Sequence, residues 1–280
     1  MDLLKDTKDY EVEMVRYKKV QSNGNNFLLL DNRGQIYSDV KLRDMTIRDC
    51  DIKKGIGADG MLVIEPSNDA EFKMRIINAN GFESEMCGNG ARCIAKYAYD
   101  HGIADKMMSF ETLAGKIGAV VTDTRVKVTM GDYELPDQNV FVLDGVNYRF
   151  MTLGVPHVVV FEDENKPLSR AEMKQIGYRF DMNHDVFERG TNVNFVRKIG
   201  KDEIEVITYE RGVEDITDSC GTGSCASAVM AASFYGMHSP ISVQNIGGVN
   251  MVHFVQSASD VTVELEGHVG YSGSIECEDL

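Results

Sequence analysis

Two cysteines sit in matched settings, Glu85-Met86-Cys87-Gly88-Asn89-Gly90 and Asp218-Ser219-Cys220-Gly221-Thr222-Gly223, and each precedes a run of small and apolar residues that suits a helix. A thiol just before the first turn of a helix faces unpaired backbone N–H groups and the positive end of the helix dipole, and both favour the thiolate. The glycines of Cys-Gly-x-Gly permit close approach and unusual backbone angles, leaving the amides as a nest for a carboxylate. Two such helix starts facing across a cleft would grip one α-carboxylate from both sides. Inverting an sp³ carbon needs a base on one face and an acid on the other, which a facing thiol pair supplies. The pattern therefore points to Cys87 and Cys220 as the acid and base of proton transfer at the α-carbon of an amino acid.

Other uses of the cysteines fit less well. Zinc wants three or four closely spaced ligands, whereas the Cys-x5-Cys and Cys-x4-Cys pairs place Cys93 and Cys225 inside helices among alanines, where cysteine packs as a small hydrophobe. A redox disulfide needs Cα atoms within about 7 Å, which spacing alone does not establish. A Cys-His hydrolase has a histidine available in His157, but nothing pairs it with either thiol. Cys50 and Cys277 have no supporting pattern and read as structural. The turn Gly55-Ile56-Gly57-Ala58-Asp59-Gly60 lacks the Gly-x-Gly-x-x-Gly frame and a following helix, so it reads as a tight turn and a wall of the cleft rather than a phosphate loop.

The elements that must position these groups are strands and short helices joined by Gly, Asn and Asp turns. Periodicity predicts strands over 12–20, 26–31, 61–65 and 72–78, a helix over 89–101, and strands over 117–121 and 125–130. Gly131–Pro136 reads as a turn-rich boundary. Beyond it come a hairpin over 140–154, a strand over 157–161, a helix over 168–180, strands over 192–199 and 203–211, a helix over 223–235, and strands over 249–255 and 261–265. The two Cys-Gly-x-Gly units each follow a strand and an acidic turn, so the chain reads as a duplicated α/β unit. The expected domains are 1–131 with the segment 268–280, carrying Cys87, and 132–267, carrying Cys220. Asn25, Asn78, Asn192, Glu210 and Arg211 fall in turns or directly after apolar runs, where side chains converge on a ligand. Glu with Asn suits an ammonium, and Arg suits a carboxylate.

With 29 basic and 44 acidic residues in 280, the formal charge is −15, which opposes binding to nucleic acid or an anionic membrane. No apolar run approaches the roughly 18 residues of a membrane span, and the charged start, MDLLKDTKDYEVEM, does not resemble a secretory signal, so a cytoplasmic location is expected. No motif for an electron-sink cofactor is evident.

NANGFESEMCGNGARC (78–93) and YERGVEDITDSCGTGSC (209–225), with GNNFLLLD, GIGADG, GVPH and GTNVNFV, resemble the diaminopimelate epimerase family of cofactor-independent amino-acid epimerases and racemases. The resemblance runs from about Tyr17 to Gly248. It implies two pseudo-symmetric mixed α/β domains around a closing cleft, no pyridoxal phosphate or metal, and commonly a homodimer. It also implies that Cys87 and Cys220 are acid and base, and that Asn25, Asn78, Asn192, Glu210 and Arg211 contact substrate. The amides around Gly88, Asn89, Gly221 and Thr222 would hold the reacting carboxylate, and His157 matches a histidine near the cleft.

The chain departs from the family at several points. Gln21-Ser22-Asn23-Gly24-Asn25-Asn26 replaces His-Gly-x-Gly-Asn-Asp, Val155 stands where the family has Asn, and Glu266-Gly267-His268-Val269 stands for Thr-Gly-Pro-Ala. The loop before Cys220 is one residue longer, and its extra carboxylates are expected to raise the thiol pKa or reshape the cleft. Interconversion of LL- and meso-diaminopimelate is the expected reaction. A racemase of a single-centre amino acid, with Val155 packing its side chain, is the alternative; a silent amino-acid-binding protein is a second.

Overall fold

The computed structural model describes residues 14–136, 139–163 and 165–278. Residues 12–13 of the first expected strand, most of the charged N-terminal stretch and the last two residues lie outside them. The first half runs β1 (Met14–Ser22), β2 (Asn25–Asp31), α1 (Asp39–Asp49), β3 (Gly60–Glu65), β4 (Phe72–Asn78), β5 (Glu83–Ser84), α2 (Gly88–Asp100), β6 (Met107–Thr112), β7 (Gly115–Thr122) and β8 (Arg125–Glu134). A short strand β9 (Phe141–Leu143) leads into the second half. That half runs β10 (Val146–Leu153), β11 (Val155–Phe161), α3 (Arg170–Asp181), β12 (Asn192–Gly200), β13 (Glu203–Glu210), β14 (Asp215–Thr217), α4 (Gly221–Tyr235), β15 (Ile241–Asn245), β16 (Gly248–Gln256) and β17 (Asp260–His268), followed by β18 (Gly270–Glu278).

The order of elements repeats, and so does their pairing. β2 runs parallel to β3, and β4 parallel to β6. Correspondingly, β11 runs parallel to β12, and β13 parallel to β15. The remaining neighbours are antiparallel. β8 and β17 pair antiparallel across the middle, from Arg125 opposite His268 to Glu134 opposite Asp260, so one ladder joins the halves. β18 pairs with β1.

In each half the strands wrap one helix and carry another on the outside. α2 touches β1, β2, β3, β4, β7 and β8; α4 touches β10 through β13 and β15 through β17. Strands covered on both faces read as continuous apolar runs. Thus Phe27 and Leu29 of β2 face the inner core with α2, while Leu28 and Leu30 join Leu42 and Met45 of α1 on the outside. In the second half α3 covers the outer face through Met173, Ile176 and Phe180. It opens on a reciprocal capping box in which Ser169 and Glu172 satisfy each other's backbone N–H.

Several segments differ from the sequence expectation, which did not include β5, β6, β14 or β15. β8 continues through Gly131 to Glu134, because Gly131 at φ +117° and a shift of register against Val263–Glu264 form a β-bulge rather than a turn. α1 lacks a broad apolar stripe: Leu42 and Met45 are buried while Val40 and Ile47 are exposed, so tertiary contact rather than pattern fixes it. β18, rich in Gly and Ser, gains its partner only when β1 is in place. The hairpin of β9 and β10 is as expected, with Asp144 at φ +49° and Gly145 at φ +76° in the two-residue turn.

The outer helix of the second half is seated on glycine. A Cβ at Gly177 would lie 2.3 Å from Cγ of Tyr209, whose ring root cannot swing away. Gly177→Ala is therefore expected to cost about 1–3 kcal/mol of stability by overpacking, measured as a lower denaturation midpoint. An unchanged midpoint would show that α3 shifts freely on the sheet.

Candidate active site

Cys87 and Cys220 are the N-caps of α2 and α4, the two enclosed helices. Each has extended backbone angles (φ −142° and −109°), and its sulfur accepts from the amide three residues on, Gly90 N at 3.5 Å and Gly223 N at 3.4 Å. The two helix starts meet. A Cβ on Gly221 would stand 4.0 Å from Cα of Gly88, and Cδ2 of Leu265 from the joining strand β17 wedges beneath both glycines. A Cβ on either glycine would crowd Leu265 Cδ2 at 3.0–3.1 Å, which is the physical reason for glycine after each cysteine. Gly223 is needed equally, because a Cβ would meet Asn194 Oδ1 at 2.3 Å.

The cleft above this junction encloses about 710 Å³. It is lined by Asn25, Asn78, Cys87, Gly88, Asn89, Glu210, Arg211, Cys220, Gly221 and Thr222, ten of the residues singled out from sequence. A second lobe of about 530 Å³ shares Glu210, Arg211 and Thr222 with it and is bounded by Asn192, Val155 and Tyr133. Asn192 fixes Arg211 by accepting its backbone N–H at 2.8 Å, and the Arg211 guanidinium donates to the Arg189 carbonyl. His157 lines neither lobe. It is fully buried, shares a 3.2 Å hydrogen bond with Asn194, and burial together with Arg211 pushes its pKa down to about 3. It is thus a neutral support beneath the site, and no hydrogen bond among the described residues ties it to a thiol.

The electrostatics differ from the simple helix-start expectation. Burial pushes both thiols up, Cys220 to about 12 with the Glu210 carboxylate adding to the rise. The amides of Gly90 and Asn89 oppose this at Cys87, as does Arg92, but they do not outweigh the lost hydration. Cys87 in turn raises Cys220, so a second negative charge on the pair is penalised and one thiolate facing one thiol is favoured. Of the extra loop carboxylates, Asp215 faces away from the thiols, turning outward to Lys174 at 2.6 Å, and Glu210 is the acid that acts on Cys220. Burial pushes Glu210 itself up, with the Thr217 hydroxyl donating to it at 2.9 Å.

Several contributors escaped the sequence reading. Ser84 accepts from Asn78 Nδ2 at 2.7 Å, as Thr217 donates to Glu210, and each hydroxyl lies three residues before its cysteine on the short strand β5 or β14. The signal was in the repeat, Ser-x-x-Cys and Thr-x-x-Cys. Asp59 also lines the cleft and accepts from the Asn26 backbone N–H at 2.8 Å. None of the six cysteines, all among the described residues, is in a disulfide. Among the described residues no group of three or more His, Cys, Asp or Glu side chains is arranged to hold a metal, and no helix is long and apolar enough to cross a membrane.

A family model described as diaminopimelate epimerase matches residues 17–136 and 149–269. A diaminopimelate epimerase of Caldanaerobacter subterraneus subsp. tengcongensis is 36% identical over 289 residues, covering 94% of this chain and 100% of the relative. One of Hydrogenobaculum sp. is 37% identical, covering 76% of this chain and 81% of the relative. Among solved structures, a PhzF-family phenazine biosynthesis protein of Bacillus anthracis superposes with a TM-score of 0.70 at 13% identity, covering 95% of this chain and 99% of that one. A hydroxyproline epimerase from Agrobacterium vitis, with bound trans-4-hydroxy-L-proline, gives 0.66 at 16% identity, covering 94% and 91%. The structural likenesses establish a shared pseudo-symmetric α/β fold, and the sequence matches across both cysteine-bearing halves place the chain in the diaminopimelate epimerase family.

Proposed function

We propose that this protein inverts the α-carbon of an amino acid without a cofactor, with Cys87 and Cys220 as base and acid, and that its substrate is diaminopimelate, interconverted between the LL and meso forms. The observation that carries the reading is the meeting of two cysteine-capped helix starts at one cleft. A carboxylate on the amides of Gly88–Asn89 and Gly221–Thr222 would place its α-carbon between the sulfurs. As one thiolate removes the proton, negative charge spreads into the carboxylate, where fixed amides stabilise it more than they stabilise the ground state. The opposite thiol then delivers a proton to the other face, leaving the pair with its charge exchanged. Reversal of the reaction reverses the roles.

The polar groups around the junction suit the rest of the substrate. Burial pushes Glu210 up, and a substrate ammonium beside it would favour its carboxylate form. Arg211, with Asn192, suits a distal carboxylate in the second lobe. Homodimerisation, cytoplasmic location and lack of nucleic-acid binding belong to the same reading, supported by the family likeness and the charge of −15.

One observation favours a second reading. Val155 borders the second lobe and donates no side-chain hydrogen bond, which suits the apolar side chain of a single-centre amino acid. α-Proton exchange and stereoinversion in deuterated water, under reducing conditions and without added cofactor, decide between the two. Exchange on LL-diaminopimelate but not on single-centre amino acids is expected. Activity confined to a single-centre amino acid would reassign the substrate, and exchange on none would remove the reading.

Cys87→Ala and Cys220→Ala are each expected to lower inversion by about 10²–10⁴-fold while leaving substrate binding measurable by calorimetry. A protein that binds amino acids silently would show no inversion before or after either change.

Since both thiols are held up by burial, the thiolate needed for proton removal is scarce at pH 7 and grows as pH rises. His157 stays neutral through this range and contributes no step. The value of kcat/KM should climb from pH 6 to 9, with a limiting slope of about tenfold per unit. A profile flat above pH 7 would place the working thiol pKa below neutrality and contradict the assignment.

A further inference from the structure

The two halves repeat the cysteine, the glycines and the hydroxyl before them, but not the fifth residue after the cysteine. In α2 it is Arg92; in α4 it is Cys225. Arg92 is fully buried. Its Nε and Nη2 donate to Ser22 Oγ at 3.1 and 3.0 Å, Nη2 also donates to Asn89 Oδ1, and Nη1 is buried without a partner. The guanidinium lies against the backbone of β17 at Gly267, where a Cβ would come within 2.8 Å of Cζ. No carboxylate pairs with it among the described residues. A guanidinium stays charged in proteins, and a buried charge with no counter-charge is costly. The acids that act on it are thiols, Cys93, Cys87 and Cys225, and of these only Cys87 opens on the cleft.

We propose that Arg92 is a positioning residue that makes the two thiols unequal, so that Cys87 gives up its proton first and Cys220 keeps its own. Burial alone treats the sulfurs alike; the guanidinium does not. Arg92 follows Cys87 on α2, donates to Asn89 in the first turn and favours a thiolate at Cys87, whereas Cys220 faces the Glu210 carboxylate. The other charged and titratable groups around Cys87 are Glu210 at the end of β13 and Cys220 at the start of α4, both of which disfavour a thiolate there. Asp59 and Arg211 line the same cleft, and Arg125, on the far side of Arg92, is neutralised by Glu266. Arg92 also sets the amide at the cleft wall. By donating to Asn89 Oδ1 it turns Asn89 Nδ2 toward Asn25 Oδ1, which leaves the Asn25 N–H groups for Asp59 and the cleft.

This inference rests on the two-thiol reading, and its test needs no turnover. The pH dependence of iodoacetamide alkylation is measured for Cys87 in a Cys220→Ala background and for Cys220 in a Cys87→Ala background, so that each thiol titrates alone. Mass spectrometry assigns the adduct. Cys87 is expected to have the lower midpoint. Arg92→Met should raise that midpoint on the order of one to two pH units and move that of Cys220 by less, while Arg92→Lys, which keeps the charge, should leave it near the starting value. Should Arg92→Met fail to fold, Ser22→Asp sets a carboxylate on the same guanidinium and should raise the Cys87 midpoint likewise. A folded Arg92→Met or Ser22→Asp variant with an unchanged midpoint overturns the proposal, as does a lower starting midpoint for Cys220. Absence of α-proton exchange on every amino acid would overturn the proposed reaction and leave this titration intact.

Discussion

Helix α2 and helix α4 meet at their N-termini over Leu265, whose Cδ2 packs closer to Gly88 and Gly221 than a side chain on either would allow without a shift. Both ends carry unpaired N–H groups and partial positive charge, so bringing them together is electrostatically unfavourable until an anion sits between them. The sheets make the meeting obligatory. Each wraps its helix on nearly all sides, and the β8–β17 ladder fixes the two wraps against each other with Leu265 wedged under the junction. A site that repels itself when empty and is relieved by a carboxylate is a preorganised anion site. Its cost is carried by the apolar core that surrounds it.

Burial serves the same site in a second way. The thiols, Glu210 and His157 all lose hydration, and each responds by favouring its neutral form. An aliphatic α-proton is weakly acidic, so the base that removes it must itself be strongly basic. A thiol pushed upward by burial gives a rarer but more basic thiolate, and a cleft that excludes water strengthens every dipole aimed at the carboxylate. The neutral His157 braces Asn194, whose Oδ1 in turn lies where a side chain on Gly223 would stand.

Much of this was legible in the chain. The Cys-Gly-x-Gly repeats located the helix starts, and β-branched and apolar runs located most strands, because those strands are covered on both faces. What escaped notice was decided by contacts distant in sequence. The helix α1 has too narrow an apolar stripe to declare itself, and β18 is drawn into the sheet by β1, some 256 positions away at the Lys18–Ser274 contact. Glu210 rather than the nearby loop carboxylates raises Cys220, because Asp215 is turned toward Lys174 and out of the cleft. Nothing in the sequence pattern sets Arg92 apart from other charged helix residues. Only the fold reveals that its whole side chain is enclosed.

The pattern of what repeats between the halves and what does not follows from the geometry of a chiral carbon. When such a centre is inverted by two bases, the proton leaves one face and returns on the other while the carboxylate stays between them. Groups serving the proton and the carboxylate can therefore be duplicated, and they are: Cys87 with Cys220, Gly88 with Gly221, Gly90 with Gly223. The ammonium and the side chain occupy opposite sides of that axis and differ in charge and shape, so residues facing them cannot match. Asn25 opens β2 where Val155 opens β11, Gly60 opens β3 where Asn192 opens β12, and Asn78 closes β4 where Glu210 closes β13. Every one of these unmatched residues lies at a strand end beside the helix junction. Had the duplication remained perfect, the cleft would bind a carboxylate and offer two thiols but hold an amino acid equally well in two orientations. In the proposed reaction, divergence at these strand ends would give one orientation, and with it a fixed line from sulfur through carbon to sulfur.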